Sequence, residues 1–299
     1  MSMGGGIAIA PDQQPPAEPP NPELDAGVLR RWNIAFARPL GYRPLLLDLH
    51  TPADTGPSPL VVHIYGGAFA TGSHKHSSLG DYLMPRLLGE GFAVAAVQYR
   101  HSKEAPFPAQ LHDVKAAVRW LRHHGAALGV DPKRIAAWGS SSGGHLAAML
   151  AATGDSYPHL QGEVGLTGPS STVAAAISWN APVNIARLPP PPPESPFHQL
   201  GQDPHDWLLG APVDSVPNLA ALASTSTYPT ASSAPLLLAH GERDTAIPIE
   251  QSEGLLAAYS EVGAAAELVR VPGAGHFFDE ADREHLVTLG LRFLRSHLS

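Results

Sequence analysis

Residues Phe92 to Tyr99 form an almost unbroken apolar run. A strand that is apolar on both faces must be covered on both, the condition of a parallel sheet with helices on either side. Runs of similar length recur at Leu45–Leu49, Pro59–Tyr65, Arg134–Trp138, Ala174–Trp179, Pro235–His240 and Glu267–Val271, and these predict further strands. Between them the period changes. Helical spacing covers about Ser78 to Glu90, ending at Gly91, and about Ala109 to Leu128, where Leu111, Val114, Val118, Leu121 and Leu128 share one stripe. Further helices are predicted after Gly143, from about Glu250 to Val262 and from about Asp282 to His297. The turn segment Thr51–Ser58, with Pro52, Gly56 and Pro57, suggests that the strands flanking it form a hairpin or lie side by side. The alternation predicts an α/β fold, a doubly wound and mostly parallel sheet flanked by helices, with its site at the carboxyl ends of the strands.

Two stretches break the pattern. Residues 1–25 are rich in Pro and Gln and poor in hydrophobic residues, a composition expected of a loosely packed tail. Residues 26–299 are expected to form one domain, interrupted at about 187–233 by a segment holding the run Pro189–Pro193. That segment is expected to pass over the strand ends, with a short helix near Trp207-Leu208-Leu209.

Composition narrows the partners. The chain has 299 residues, 43% of them hydrophobic, a net charge of −8 and only 15% charged residues. This argues against nucleic acid or an anionic membrane as partner and favours a small neutral or apolar molecule. No apolar stretch approaches the roughly 20 residues of a membrane span. Residues 1–14 carry no Lys or Arg, unlike a secretory signal, so a cytoplasmic protein is expected. With no Cys, disulfides and thiolate chemistry are excluded.

The chemistry gathers on Gly139-Ser140-Ser141-Ser142-Gly143, which lies between a predicted strand and a predicted helix. A Gly-x-Ser-x-Gly turn there is a nucleophile elbow: the central serine takes a strained conformation and projects at the strand end. Of the three consecutive serines, only Ser141 has Gly two residues before and after it. Serine needs a histidine to take its proton and a carboxylate to orient that histidine. Asp244 and His276 each follow a predicted strand, so both fall on the edge that carries the elbow, with Glu242 the nearest rival acid. The order Ser141, Asp244, His276 is one of the known orders of such triads. Oxyanion donors are expected from the backbone of Ser142 and from Gly66 and Gly67, in a Gly-rich loop after an early strand. His63 and His145 read as core residues, and the remaining histidines show no metal-site spacing.

With these residues in place, the chain from roughly Asn33 to Leu298 resembles the α/β-hydrolase superfamily, especially its acetyl-esterase, feruloyl-esterase and carboxylesterase-like branch. The resemblance rests on Tyr65-Gly66-Gly67-Ala68-Phe69, Tyr99-Arg100 with Ala105-Pro106-Phe107-Pro108, the Asp113, Ala117, Trp120, Leu121 helix, the elbow, and the Asp244 and His276 loops. It implies the α/β-hydrolase fold and a cofactor-free serine hydrolase of short-chain or aryl esters, with no metal. Tyr65 stands where relatives carry His, Ala68 replaces a third Gly, and Ser140 replaces a frequent acidic residue. Phe69, Trp179, Trp207 and Phe277 are candidates to line the substrate pocket. The alternatives are an amide hydrolase, such as an arylformamidase or small peptidase, using the same triad, or a non-catalytic binding protein of this fold.

Overall fold

The computed structural model describes residues 19–53, 56–190, 192–195, 198 and 203–299. Nine strands form one sheet: β1 (Glu23–Asp25), β2 (Val28–Ala37), β3 (Leu45–Pro52), β4 (Ser58–Ile64), β5 (Ala93–Val97), β6 (Val130–Ser140), β7 (Ala175–Trp179), β8 (Leu236–Gly241) and β9 (Ala266–Val271), in the spatial order β1-β2-β3-β5-β4-β6-β7-β8-β9. From β5 to β9 neighbouring strands are parallel, and β1, β2 and β3 extend the sheet antiparallel.

Helices cover both faces, as the two-sided apolar strands require. On one face lie α2 (Ala109–His124), α3 (Ser142–Thr153) and α6 (Glu250–Glu261); on the other, α1 (Ser78–Gly89) and α7 (Glu280–Leu298). Every residue of α3 is buried, so the helix that follows the elbow is held in the centre of the molecule. Gly290 lets α7 lie flat on the sheet, since a Cβ there would come 2.3 Å from Cη2 of Trp138.

Three sequence expectations change. The strands on either side of the Pro/Gly turn are neither a hairpin nor neighbours, because β5 lies between β3 and β4. Buried β4 takes parallel partners on both sides, with α1 as the crossover to β5. Second, β2 was not foreseen: its apolar alternation slips at Asn33, which adopts φ 57° and interrupts the register between Arg31 and Ile34. Third, Glu23–Asp25, at the end of the expected tail, pairs with β2 through a turn at Ala26 and Gly27, both at positive φ. The rest of that tail, residues 1–18, lies outside the described residues.

Within the Pro-rich segment, the described residues include α4 (Pro204–Leu209) and α5 (Pro217–Leu222). The first is the helix anticipated around Trp207, started by Pro204 and by the Asp203 side chain, which accepts from the His205 N–H. It docks on the turn before α2, where the Phe107 N–H donates to the Leu208 carbonyl at 2.7 Å. Just after β5, Arg100 is tied to α2 itself, binding the fully buried Asp113 carboxylate at 2.7 and 2.9 Å.

Candidate active site

The chain turns from β6 into α3 at Ser141, which adopts φ 54° and ψ −125°. For a residue with a Cβ this conformation is strained and persists only where the surroundings enforce it. Here they do. The Ser141 N–H donates to the Trp179 carbonyl at 2.7 Å, and its carbonyl accepts from the His145 N–H at 2.9 Å. The flanking glycines are needed for space: a Cβ on Gly139 would lie 2.3 Å from the Gly143 carbonyl oxygen, and one on Gly143 would lie 2.1 Å from that of Ile64.

Ser141 Oγ lies 3.1 Å from His276 Nε2, and His276 Nδ1 lies 2.7 Å from Asp244 Oδ2. A ring nitrogen beside a carboxylate carries the proton, so Nδ1 is the donor and the Nε2 lone pair faces the serine hydroxyl. This is the tautomer that a proton acceptor requires. The other Asp244 oxygen accepts from the N–H groups of Ala246 and Ile247 at 2.8 and 2.9 Å. Burial alone would push this carboxyl up, but bonds from His240, His276 and the Ile247 N–H outweigh it and hold it at about 2. Asp244 is therefore an anion at neutral pH. Glu242, the rival acid, is exposed.

Two residues that sequence reasoning passed over support this arrangement. His240 is fully buried, with Nε2 2.8 Å from the Ile247 carbonyl and 3.4 Å from Asp244 Oδ2, and with Nδ1 2.7 Å from Ser252 Oγ. The carbonyl fixes Nε2 as donor, so Ser252 donates to Nδ1. Asn180, at φ 46° just after β7, donates from its side chain to the His276 carbonyl at 2.8 Å and accepts from the Gly241 N–H at 3.0 Å. One amide thus ties the loop of the histidine to the strand that leads to the aspartate. An Asn directly after an apolar strand is its sequence signal, since Asn tolerates the left-handed region.

Gly66 and Gly67 lie beside the elbow, where a Cβ on Gly66 would be 2.8 Å from the Ser140 carbonyl oxygen and 3.3 Å from Ser141 Cβ. Gly67 adopts φ 145°, and its carbonyl accepts from the N–H groups of Ala70 and Thr71. Among the described residues, no backbone carbonyl accepts from the N–H groups of Gly66, Gly67 or Ser142. The Tyr65 ring faces away from solvent and stacks on Tyr99, with centroids 4.5 Å apart.

The four aromatic candidates separate into two kinds. Phe69 is buried with its ring against His145, and Trp179 is buried between Trp138 and Phe278, so both rings belong to the core. Trp207 is half-buried with the Lys103 ammonium 4.5 Å from its ring, and Phe277 is 71% exposed beside the His276 ring. His145, pushed down to about 4 by burial, is neutral and donates to the Ala223 carbonyl, while His63 is buried in β4 beside Ser77. Among the described residues, no three His, Asp or Glu side chains are grouped to hold a metal ion, and no helix is long and apolar enough to cross a membrane.

The sheet, the elbow and the Ser-His-Asp geometry together define an α/β-hydrolase. Residues 47–259 match the family model described as BD-FAE, and the chain belongs to that family. It is 30% identical over 247 residues to Esterase LipQ of Mycobacterium tuberculosis, an alignment covering 81% of this chain and 56% of LipQ. The chain spans between half and two thirds of the length of LipQ and of the next curated relatives that it matches. Among solved structures it is similar to a truncated carbohydrate esterase from gut microbiota, with TM-score 0.75, 27% identity and coverage of 93% of this chain and all of the other. It is also similar to the propionate-bound thermophilic esterase Est2 of Thermogutta terrifontis, with TM-score 0.70, 26% identity and coverage of 93% and 94%.

Proposed function

We propose that this chain hydrolyses carboxylic esters, short-chain or aryl, through an acyl-enzyme on Ser141. The observation that carries the reading is the continuous line from Ser141 Oγ to His276 Nε2 and from His276 Nδ1 to the buried, ionised Asp244. In this reading His276 takes the Ser141 proton as Oγ bonds to the ester carbonyl carbon. Asp244 stabilises the imidazolium that forms. The N–H groups of Gly66, Gly67 and Ser142 hold the carbonyl oxygen as it gains charge, each donor being worth about 2.7–4 kcal/mol in comparable sites. His276 then gives its proton to the departing alkoxide. Water, deprotonated by the same nitrogen, attacks the acyl carbon and returns the acid and free Ser141.

The relatives LipQ and LipC are esterases, which supports an ester rather than an amide as substrate, and Est2 is known with propionate bound and phosphorylated by paraoxon. The same reading treats residues 26–299 as one domain carrying the insertion at 187–233, supported by the single sheet from β1 to β9. Phe277 and Trp207, the aromatic candidates open to solvent, are the ones we assign to substrate contact. The test is nitrophenyl acetate turnover and fluorophosphonate labelling of the intact chain. We expect turnover together with one adduct on Ser141, and loss of both in a folded Ser141→Ala variant. Undiminished turnover in that variant would sink the assignment. A parallel panel of formanilides separates ester from amide preference.

A further inference from the structure

Tyr99 follows β5 and is fully buried, as the reading above neither uses nor explains. Its Oη lies 3.1 Å from the Tyr65 carbonyl oxygen and 3.3 Å from Ser142 Oγ. A carbonyl only accepts, so the Tyr99 hydroxyl donates to Tyr65, and the Ser142 hydroxyl donates to Tyr99. The result is a directed chain from Ser142 through Tyr99 to Tyr65. Its ends are the two places from which oxyanion donors are proposed to come. The Tyr65 carbonyl belongs to the same planar peptide unit as the Gly66 N–H, so fixing one fixes the direction of the other. Ser142 carries the second N–H on its own backbone.

The stack makes this link stiff. The Tyr65 and Tyr99 rings are 14° from parallel, and the Tyr65 hydroxyl donates back to the Tyr99 carbonyl at 3.4 Å, with His101 Nε2 also 3.1 Å away. The loop closes over this pair at Gly72, φ 98°, where a Cβ would come 2.7 Å from the Tyr65 ring. Two loops from different strands are thus referenced to one phenol.

Resting on the hydrolase reading, we infer that Tyr99 is a positioning residue that holds the Gly66-Gly67 loop and the elbow in register, so that their N–H groups converge on one oxyanion. It touches no substrate. Its contribution falls on the tetrahedral state, where charge develops, and not on ground-state binding.

Tyr99→Phe removes a single oxygen. We expect kcat for nitrophenyl acetate to fall about tenfold with KM changed less than about twofold, as for loss of one well-aimed hydrogen bond. Affinity for a trifluoromethyl ketone, which forms a hemiketal oxyanion on the serine, should fall by the same factor. Ser142→Ala cuts the chain at its other end, so the Tyr99→Phe/Ser142→Ala double variant should lose no more than Tyr99→Phe alone. Tyr157→Phe deletes a hydroxyl that donates to the Tyr228 carbonyl elsewhere in the molecule, and it should keep kcat whatever it loses in stability. Unchanged kcat in Tyr99→Phe, a loss confined to KM, or additive losses in the double variant would overturn the inference. Should Tyr99→Phe fail to fold, Ser142→Ala decides alone: a fall in kcat and ketone affinity supports the chain, and wild-type values overturn it. Fluorophosphonate labelling separates the two levels. No adduct on wild-type Ser141 overturns the hydrolase reading itself, whereas equal labelling rates in wild type and Tyr99→Phe overturn only the role of Tyr99.

Discussion

Asp244 is buried with each carboxylate oxygen engaged, one by two backbone N–H groups and the other by His276. Its folded value of about 2 lies below the ordinary 3.8, so the native state favours the anion. The stability this adds is fully present above about pH 4 and is lost as pH falls through about 2, on the order of 2 kcal/mol in all. Urea midpoints measured from pH 7 down to pH 2 should therefore fall less steeply for Asp244→Asn than for the wild type. Equal slopes would show that the carboxylate carries no such linkage. The same substitution turns an amide toward His276 Nδ1 and favours the wrong tautomer, so kcat should drop by about 10⁴, as in serine proteases. At this scale the sequence was most informative: Ser141, Asp244 and His276 each follow a strand, buried for the first two and partly exposed for β9, and a strand-like run states its own end. Asn180 and His240 were less legible, because their roles depend on loops that meet only in three dimensions.

Helices meet the sheet at two kinds of glycine. Gly254 lies inside α6 with open space where a Cβ would go, whereas a Cβ on Gly290 of α7 would enter the rigid, buried ring of Trp138. Gly254→Ala should raise stability by about 0.5–1 kcal/mol through helix propensity and a less flexible unfolded chain. Gly290→Ala gains the same propensity but forces overpacking, and a net loss of about 1–2 kcal/mol is expected. Thermal or urea unfolding of the two variants checks both signs. A stabilised Gly290→Ala would mean that α7 can lift from the sheet at little cost. Periodicity located α6 and α7 because their stripes are regular. It missed β2, where Asn33 spends one residue outside the alternation while its N–H binds the buried Asp48 carboxylate at 2.7 Å.

Across the whole molecule, the parallel strands deliver the elbow from β6, Asn180 from β7, Asp244 from β8, His276 from β9 and the glycine loop from β4 to one edge. Apart from Asn180, that convergence was readable in the sequence because parallel strands send all their carboxyl ends the same way. The placement of β5 between β3 and β4 was not, since spatial order is a choice of pairing and leaves no mark on any single strand. The backbone at Ser141 has a consequence that reaches beyond chemistry. Its φ of 54° with ψ −125° is a conformation suited to glycine, so Ser141→Gly should unfold later than the wild type, by about 1 kcal/mol or more, while losing all turnover. Calorimetry of the two proteins measures the difference. If it holds, selection for robustness alone would replace this serine, and on the proposed mechanism it persists only as long as the reaction it carries outweighs a steadier fold.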